Sequence, residues 1–137
     1  MHALPIRVYY EDTDAGGVVY YANYLKFAER GRTDWLRDLG IHQTELRERS
    51  GLFFVVRHCE IDYLAAGKLD DLLTVESRLL RMSNTSIAMH QIVRRDADQA
   101  VLAEMKVTVV CVNETLKPAR IPQEIREKFN VETKEEN

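Results

Sequence analysis

The sequence contains little cysteine, no long apolar run and no excess of basic charge. Its two cysteines among 137 residues, Cys59 and Cys111, stand in apolar, strand-like runs. Reduced core thiols are expected there rather than disulfides or zinc ligands. No run of about 18 apolar residues is present to span a membrane, and residues 1–8 are not apolar enough for a signal peptide. These absences favour a protein of the cytoplasm.

The charge balance is nearly even. The chain carries 19 basic and 22 acidic residues, a formal net charge of −3. A nucleic-acid-binding domain would show a basic excess, so that class of partner is not expected.

A chain of this length is predicted to form one domain with one hydrophobic core, over residues 1–130. A charged, disordered tail is predicted over residues 131–137.

One long amphipathic helix is predicted over residues 21–39. Apolar or small residues recur there at steps of three or four, which places them on one helix face. They are Tyr24, Ala28, Gly31, Trp35 and Leu39. A glycine inside a helix costs about 1 kcal/mol relative to alanine, so Gly31 is expected to allow close approach of another backbone. Gly40 is expected to end the helix, and a second, shorter helix is predicted over residues 42–49.

Strand-like runs make up most of the remaining chain. A short strand is predicted before the helix, over residues 5–10. Four longer strands are predicted after it, over residues 52–63, 72–82, 86–95 and 100–113. Because no helices separate these four strands, a doubly wound parallel sheet is excluded. The order predicts an α+β fold in which an antiparallel sheet of about five strands wraps one long helix.

The segment YYEDTDAGGVVYYANYLKF, residues 9–27, places two acids and two glycines before the predicted helix. A calcium-binding EF-hand loop would begin at Asp12. Gly16 and Asn23 would then stand where an oxygen ligand and a bidentate glutamate are needed. A D-x-D phosphotransferase would place the two acids after a buried parallel strand in a larger α/β domain. Neither interpretation fits the sequence.

A third interpretation accounts for the acids, the glycines and the helix together. The N-terminus of a helix offers unsatisfied N–H groups and a partial positive charge, which stabilise the oxyanion formed when a carbonyl carbon is attacked. A carboxylate a few residues upstream is placed to attack that carbon or to deprotonate water. Gly16 and Gly17 allow the backbone to pass close to a substrate. The pattern therefore suits acyl transfer.

A purely structural interpretation is the simplest one on composition alone. The segment would be a strand-to-helix turn, with an aspartate capping the helix. The spacing counts against this in part, because Asp14 stands about seven residues before the helix proper. Asn23 or the residues at 20–22 are better placed as caps. On the residues alone, the structural and the catalytic interpretations stay open.

Three segments carry a resemblance to a known family: RVYYEDTDAGGVVYYANYLKFAERGRTDWLRDLG, FFVVRHCEIDYLAAGKLDDLLTVES and VTVVCVNETLKPARIP. They closely resemble the 4-hydroxybenzoyl-CoA thioesterase family, above all its acyl-CoA thioesterases associated with the bacterial Tol–Pal system. The segment D-T-D-A-x-G-V-V-Y is highly specific, and the resemblance spans nearly the whole chain. It implies the hotdog fold, a sheet wrapped around a long helix, and hydrolysis of an acyl-CoA thioester.

The resemblance also implies roles for individual residues. Asp14 would be the catalytic carboxylate, as nucleophile or general base. The backbone N–H of Tyr21 would bind the thioester carbonyl, with Gly17 beside it in the loop. Related sequences often carry histidine directly after V-V-Y, where this chain has Tyr21, so only the backbone role carries over. Tyr20 and Tyr24 also match the pattern and are candidate substrate contacts, although tyrosines at helical spacing more often pack in a core.

Coenzyme A would be part of the substrate, and neither a metal nor another cofactor is implied. Its phosphates require basic side chains, although solvated basic residues are more common than specific contacts. The candidates are Arg57, Arg81, Lys117 and Arg120. The resemblance places the site between subunits of a homo-oligomer, either a dimer or a dimer of dimers. The alternative function is a non-catalytic module that binds acyl-CoA or acyl-carrier protein.

Overall fold

A five-stranded antiparallel sheet and one long helix make up the fold. The computed structural model describes residues 1–136, with side chains described for residues 1–130. The elements are β1 (His2–Arg7), α1 (Asn23–Asp38), α2 (Gln43–Ser50), β2 (Phe53–Tyr63), β3 (Leu72–Met82), β4 (Ser86–Arg95), β5 (Val101–Val112) and α3 (Gln123–Glu136). This architecture confirms the predicted α+β hotdog fold.

The strand order in the sheet is β1-β3-β4-β5-β2, and each neighbouring pair is antiparallel. β1 and β2 are therefore the two edge strands. α1 packs mainly across β1, β3 and β4, so the half of the sheet formed by β5 and β2 is less covered by its own helix. That uncovered half adjoins the open edge of β2.

The buried face of α1 follows the predicted periodicity. Tyr24, Ala28, Gly31 and Trp35 are buried as expected, and Phe27 is buried beside them. Gly31 does lie against the sheet. A Cβ built on it would lie 2.7 Å from Cγ1 of Val75, so the close neighbour is a strand side chain and not another backbone.

The ends of several elements differ from the prediction. β1 ends at Arg7 because Tyr10–Asp12 form a single 3₁₀ turn, and α1 begins at Asn23, two residues later than expected. Gly40 and Gly51 follow α1 and α2 with φ of +80° and +69°, the left-handed conformation typical of a helix end.

One of the two cysteine predictions is wrong. Cys111 is buried, as expected, but Cys59 is exposed. Cys59 stands on β2, and an edge strand that its own helix covers poorly leaves most of its side chains open to solvent. An apolar run therefore predicted the strand correctly and the burial of this thiol incorrectly.

The C-terminal region extends beyond the described side chains. α3 continues to Glu136, and the side chains of residues 131–137 lie outside the described part of the chain. The predicted boundary between domain and tail at residue 130 stays a prediction. No helix within the described residues is both long and apolar enough to cross a lipid bilayer.

Candidate active site

The acidic loop, residues 12–19, is a tight hairpin between the 3₁₀ turn and α1. Thr13 and Val19 form an antiparallel bridge. Within the hairpin, the N–H of Gly17 donates to the carbonyl of Asp14 at 3.1 Å. Gly17 has a φ of +80°, a conformation that costs glycine little and other residues more. Gly17 is thus needed for the turn itself.

The carboxylate of Asp14 is exposed at the tip of this loop. The backbone N–H of Gly16 donates to its Oδ1 at 2.8 Å. A Cβ on Gly16 would lie 3.2 Å from the same oxygen, so glycine at this position leaves room for the carboxylate. Asp14 is therefore oriented by the loop backbone, and its second oxygen accepts no hydrogen bond within residues 1–136.

Asp12 has a different environment and was not recognised as structural from the sequence. It is buried, with 4% of its surface exposed. The N–H of Tyr9 donates to its Oδ2 and Nδ2 of Asn23 donates to its Oδ1, each at 2.9 Å. Its backbone carbonyl accepts from the N–H of Tyr20 at 2.8 Å. Asp12 therefore holds the loop against the start of α1, while the carboxylate of Asp14 is exposed to solvent.

The start of α1 leaves backbone donors free. Ala22 is the N-cap residue and makes no side-chain cap, and Asn23, a predicted cap, bonds to Asp12 instead. Across the described chain, the N–H groups of Tyr21 and Ala22 reach no hydrogen-bond acceptor. Such groups at a helix N-terminus suit an oxyanion. The structure thus brings Asp14, Gly17 and Tyr21 to the same end of α1, and their predicted roles stay predictions.

The acidic loop rests on the segment between β2 and β3. The N–H of Val19 donates to the carbonyl of Gly67 at 2.8 Å, and the N–H of Gly67 donates to the hydroxyl of Tyr24 at 3.0 Å. Tyr24 is 3% exposed. The prediction that Tyr24 contacts substrate is corrected here, because its ring packs in the core and its hydroxyl supports the loop from below.

Aromatic side chains surround the start of α1. Ring centroids lie 4.8 Å apart for Tyr20 and Tyr21, and 6.0 Å apart for Tyr21 and Tyr63. The hydrogen bond with Tyr21 raises the pKa of Tyr20, and burial raises the pKa of Tyr63. Both phenols therefore stay protonated near neutral pH. Tyr63 was missed from the sequence, since nothing in its own strand pattern marks it as a neighbour of α1.

The basic candidates for coenzyme A do not surround Asp14 within one subunit. Lys117 and Arg120 follow the end of β5, near the turn between β3 and β4, where the N–H of Ile121 donates to the carbonyl of Asn84. The acidic loop lies by the start of β5. That strand has 12 residues and spans roughly 36 Å at about 3.3 Å per residue.

Arg81 and Arg57 are also exposed and distant from the acidic loop. Arg81 lies near the end of β3, on the same side as Lys117, and Arg57 lies within β2 beside a break in its pairing with β5. All four basic residues are open to solvent, so the prediction of coenzyme A binding is not contradicted. For that prediction to hold, the four basic residues of one subunit would have to bind coenzyme A at the acidic loop of another subunit.

A possible metal-ligand group lies at the opposite end of α1. Among the described residues, one set of three potential ligands lies within 4.8 Å: His2, Asp34 and Asp38. Nε2 of His2 lies 3.1 Å from Asp34 and 3.0 Å from Asp38. These are hydrogen-bond distances, so the two carboxylates hold Nε2 of His2 and join β1 to α1, while its buried Nδ1 has no hydrogen-bond partner among the described residues.

A hotdog fold with an oriented carboxylate beside free amides at the start of its long helix defines the class of thioesterase-like proteins. The chain belongs to the Thioesterase-like superfamily, which matches residues 8–129. It is 45% identical to Acyl-CoA thioesterase YbgC of Haemophilus influenzae over 129 residues, 93% of each chain.

Two further comparisons extend this relationship. A probable thioesterase of known structure from Bartonella henselae is 42% identical, with a TM-score of 0.82 over 88% of this chain and 98% of that one. Acyl-acyl carrier protein thioesterase ATL3 of Arabidopsis thaliana is 27% identical over 128 residues, 93% of this chain and 67% of that protein. The family resemblance seen in the sequence is therefore confirmed, whereas the roles of individual residues stay predictions.

Proposed function

We propose that the protein hydrolyses acyl-CoA thioesters to a free acid and coenzyme A, with Asp14 as the reacting carboxylate and no cofactor beyond the substrate's own coenzyme A. One observation carries this proposal. The exposed carboxylate of Asp14, oriented by the Gly16 N–H at 2.8 Å, stands at the same end of α1 as the free amide of Tyr21. The names of the bacterial relatives support the same substrate class.

The backbone geometry supplies the oxyanion site. A thioester carbonyl placed at the Tyr21 N–H would gain a hydrogen bond as its oxygen becomes negative. Asp14 then either attacks the carbonyl carbon, forming an anhydride that water hydrolyses, or removes a proton from the attacking water. Both routes place the same carboxylate beside the same carbon. The coenzyme A thiolate leaves as the anhydride forms in the first route, and as the tetrahedral adduct of water collapses in the second.

Tyrosine at position 21 is compatible with this chemistry. A thiol has a pKa of about 8.5, so its thiolate is a far weaker base than an alkoxide and leaves without first being protonated. Release of coenzyme A therefore does not depend on the histidine that related sequences carry here. The Tyr21 side chain, 60% exposed, is placed to contact the substrate instead.

The enzyme is proposed to act as a homo-oligomer in the cytoplasm. β2 has an open edge, and it ends in exposed apolar side chains at Tyr63 and Leu64, which are 45% and 58% exposed. Two β2 strands paired about a two-fold axis must run antiparallel. The first half of one β2, with Arg57, would then face the end of the partner strand that lies nearest the acidic loop. A second pairing would make a dimer of dimers.

Thiol release from a panel of substrates tests the proposal. The panel holds straight-chain and aromatic acyl-CoAs together with the same acyl groups on acyl-carrier protein, because the Arabidopsis relative is named for carrier-protein thioesters. Hydrolysis of one or more acyl-CoAs is expected. The alternative, a binding module, predicts that a non-hydrolysable thioether analogue binds tightly while no thioester is cleaved.

A further inference from the structure

A row of side chains on β2 leads away from the start of α1, on the face of that strand turned toward the helix. Residues paired across antiparallel strands point to the same face. Because Tyr63 contacts Tyr21 and Tyr24, its face of β2 is the one turned toward α1. That face carries Phe54, Val56, Cys59, Ile61 and Tyr63, which pair with the buried residues Cys111, Val109, Val107, Met105 and Ala103. We name the space between this row and α1 the β2 groove.

At the far end of the β2 groove, two residues of this row, Phe54 and Val56, line a cavity of about 150 Å³. Its apolar walls are Leu36, Phe54, Val56, Ile87, Met89 and Val109. An apolar cavity of about this size holds a molecule as large as benzene. Two charged residues of α1, Glu29 and Arg32, line the cavity as well. The groove therefore passes from the proposed thioester position to an apolar cavity with a cation in its wall.

Arg32 is held in place by buried polar groups. Its Nη1 donates to Oε1 of Gln91 at 3.0 Å. Gln91 is fully buried, and its Nε2 donates to the carbonyl of Ala28 and to Oγ of Ser77, each at 2.9 Å. With both amide hydrogens of Gln91 used in this way, its oxygen is fixed toward Arg32.

The guanidinium of Arg32 is incompletely satisfied. It has five N–H donors, and one of them finds an acceptor within the described chain. Burial lowers the pKa of Arg32, and Glu29 and Cys59 oppose this shift. A partly buried cation with unused donors favours an anionic partner, since burying a charge without one is costly.

The distance along α1 indicates the length of ligand that would join the two sites. Tyr21 and Arg32 are eleven residues apart, which is about 16 Å at 1.5 Å per residue. Helix side chains lean toward the N-terminus, which shortens this gap. A chain of roughly eight to twelve carbon–carbon bonds of about 1.5 Å would span it.

We propose that the β2 groove binds a medium-length acyl chain and that Arg32 binds a carboxylate at its far end, so that the substrates include dicarboxylic acyl-CoAs. The inference rests on the proposed thioester hydrolysis. Apolar walls suit the methylene groups, and the fork of the guanidinium suits a carboxylate in a bidentate pair. A second subunit paired on β2 would form the outer wall of the groove.

Glu29 is the negatively charged residue next to the proposed pair of Arg32 and the ligand carboxylate. Its Oε1 accepts a hydrogen bond from the Thr33 hydroxyl at 2.9 Å, and the side chain is exposed. Solvent screens the repulsion between Glu29 and a bound carboxylate more than it screens the attraction to the partly buried Arg32. Burial raises the pKa of the Cys59 thiol, so that group is neutral at pH 7. Removing the charge of Glu29 should therefore favour a dicarboxylic substrate.

The test is the ratio of kcat/KM for sebacyl-CoA to that for decanoyl-CoA, two acyl groups of equal length that differ in the terminal carboxylate. The wild-type ratio is expected to be about ten or more, and Arg32→Met should reduce it by about tenfold or more. Arg32→Lys should retain part of the preference and Glu29→Gln should increase it. Arg37→Met, the same change at an exposed arginine of α1, is the control and should leave the ratio unchanged.

The outcomes separate this inference from the function on which it rests. Hydrolysis of decanoyl-CoA by the wild type without preference for sebacyl-CoA would overturn the role of Arg32 and leave the thioesterase intact. An unchanged ratio in folded Arg32→Met would do the same. If Arg32→Met does not fold, the wild-type ratio and the Glu29→Gln variant still decide. Absence of hydrolysis with every thioester would instead contradict the proposed function.

Discussion

Asn23, the first residue of α1, donates its side-chain amide to the buried carboxylate of Asp12 at 2.9 Å. The second oxygen of Asp12 accepts from the backbone of Tyr9 at the same distance. The two acids of the D-T-D segment are thus used differently. Asp12 joins the preceding turn to the helix, and Asp14, two residues on, is exposed at the tip of the loop.

Asp12→Asn should reduce stability. An asparagine has one oxygen, so its NH₂ group must face one of the two donors that now bond to Asp12, and a buried donor without an acceptor costs about 1–3 kcal/mol. Urea unfolding of the variant should show a lower midpoint with the slope unchanged. Glu11→Gln, an exposed neighbour, is the control and should match the wild type.

Gly31 should not tolerate a side chain. Its Cβ would lie 2.7 Å from Cγ1 of Val75, a buried β-branched side chain with little freedom to move. Gly31→Leu should destabilise the fold by about 1–3 kcal/mol through overpacking. Lys26→Leu, at an exposed position of the same helix, should have little effect. Equal denaturant midpoints for the two variants would contradict the observed packing of α1 on β3.

The Arg95–Asp98 pair should give a small pH-dependent contribution to stability. Nε and Nη2 of Arg95 donate to Asp98 at 2.9 and 2.8 Å, and this hydrogen bonding lowers the pKa of Asp98 to about 2. The unfolded value is about 3.9, so the contribution is present above pH 4 and is lost as the pH falls toward 2.

Melting temperatures of wild type and Asp98→Asn check this expectation. The variant should melt slightly below the wild type at pH 7, and the difference should shrink between pH 4 and pH 2. The effect should be small because the pair is largely exposed and screened. A difference that stays constant over this range would show that the ion pair is not its source.

A shared site should allow complementation between inactive subunits. Asp14→Asn and Arg57→Ala are each expected to lose activity as pure proteins. In a mixed dimer one site would carry both changes and the other neither. Equal mixing makes half of the dimers mixed, so about a quarter of wild-type activity should return. Sedimentation of an active monomer at assay concentration would contradict the shared site.

The sequence predicted the parts of the fold that follow from local periodicity. Steps of three and four placed Gly31 and Trp35 on the buried face of α1, and alternation located the four long strands. Burial on β2 was not predictable in the same way. Whether Cys59 is covered depends on where α1 crosses the sheet, and that position is set by packing between distant segments.

In the candidate site, too, the sequence predicted what depends on neighbouring residues and not what depends on packing between distant segments. The motif identified Asp14, Gly17 and Tyr21, which lie close together in the chain and in the fold. The hydrogen bond between Asp12 and Asn23 could have been suspected from their polarity, but its existence depends on how the loop folds back. The contact between Tyr21 and Tyr63 depends on where β2 ends. The four basic residues cannot be assigned from one chain, because a partner subunit would have to bring them to the loop.

The most direct test of the account is the acyl-CoA hydrolysis rate of Asp14→Asn. Asparagine has nearly the same shape as aspartate and retains an oxygen for the Gly16 N–H, so the fold and the oligomeric state should persist. It can neither attack the carbonyl carbon nor take a proton, so kcat should fall by about 10²-fold or more. Glu11→Gln, the same kind of change three residues earlier, should keep the wild-type rate. A folded Asp14→Asn enzyme that hydrolyses acyl-CoA as fast as the wild type would remove Asp14 from the chemistry and contradict the account.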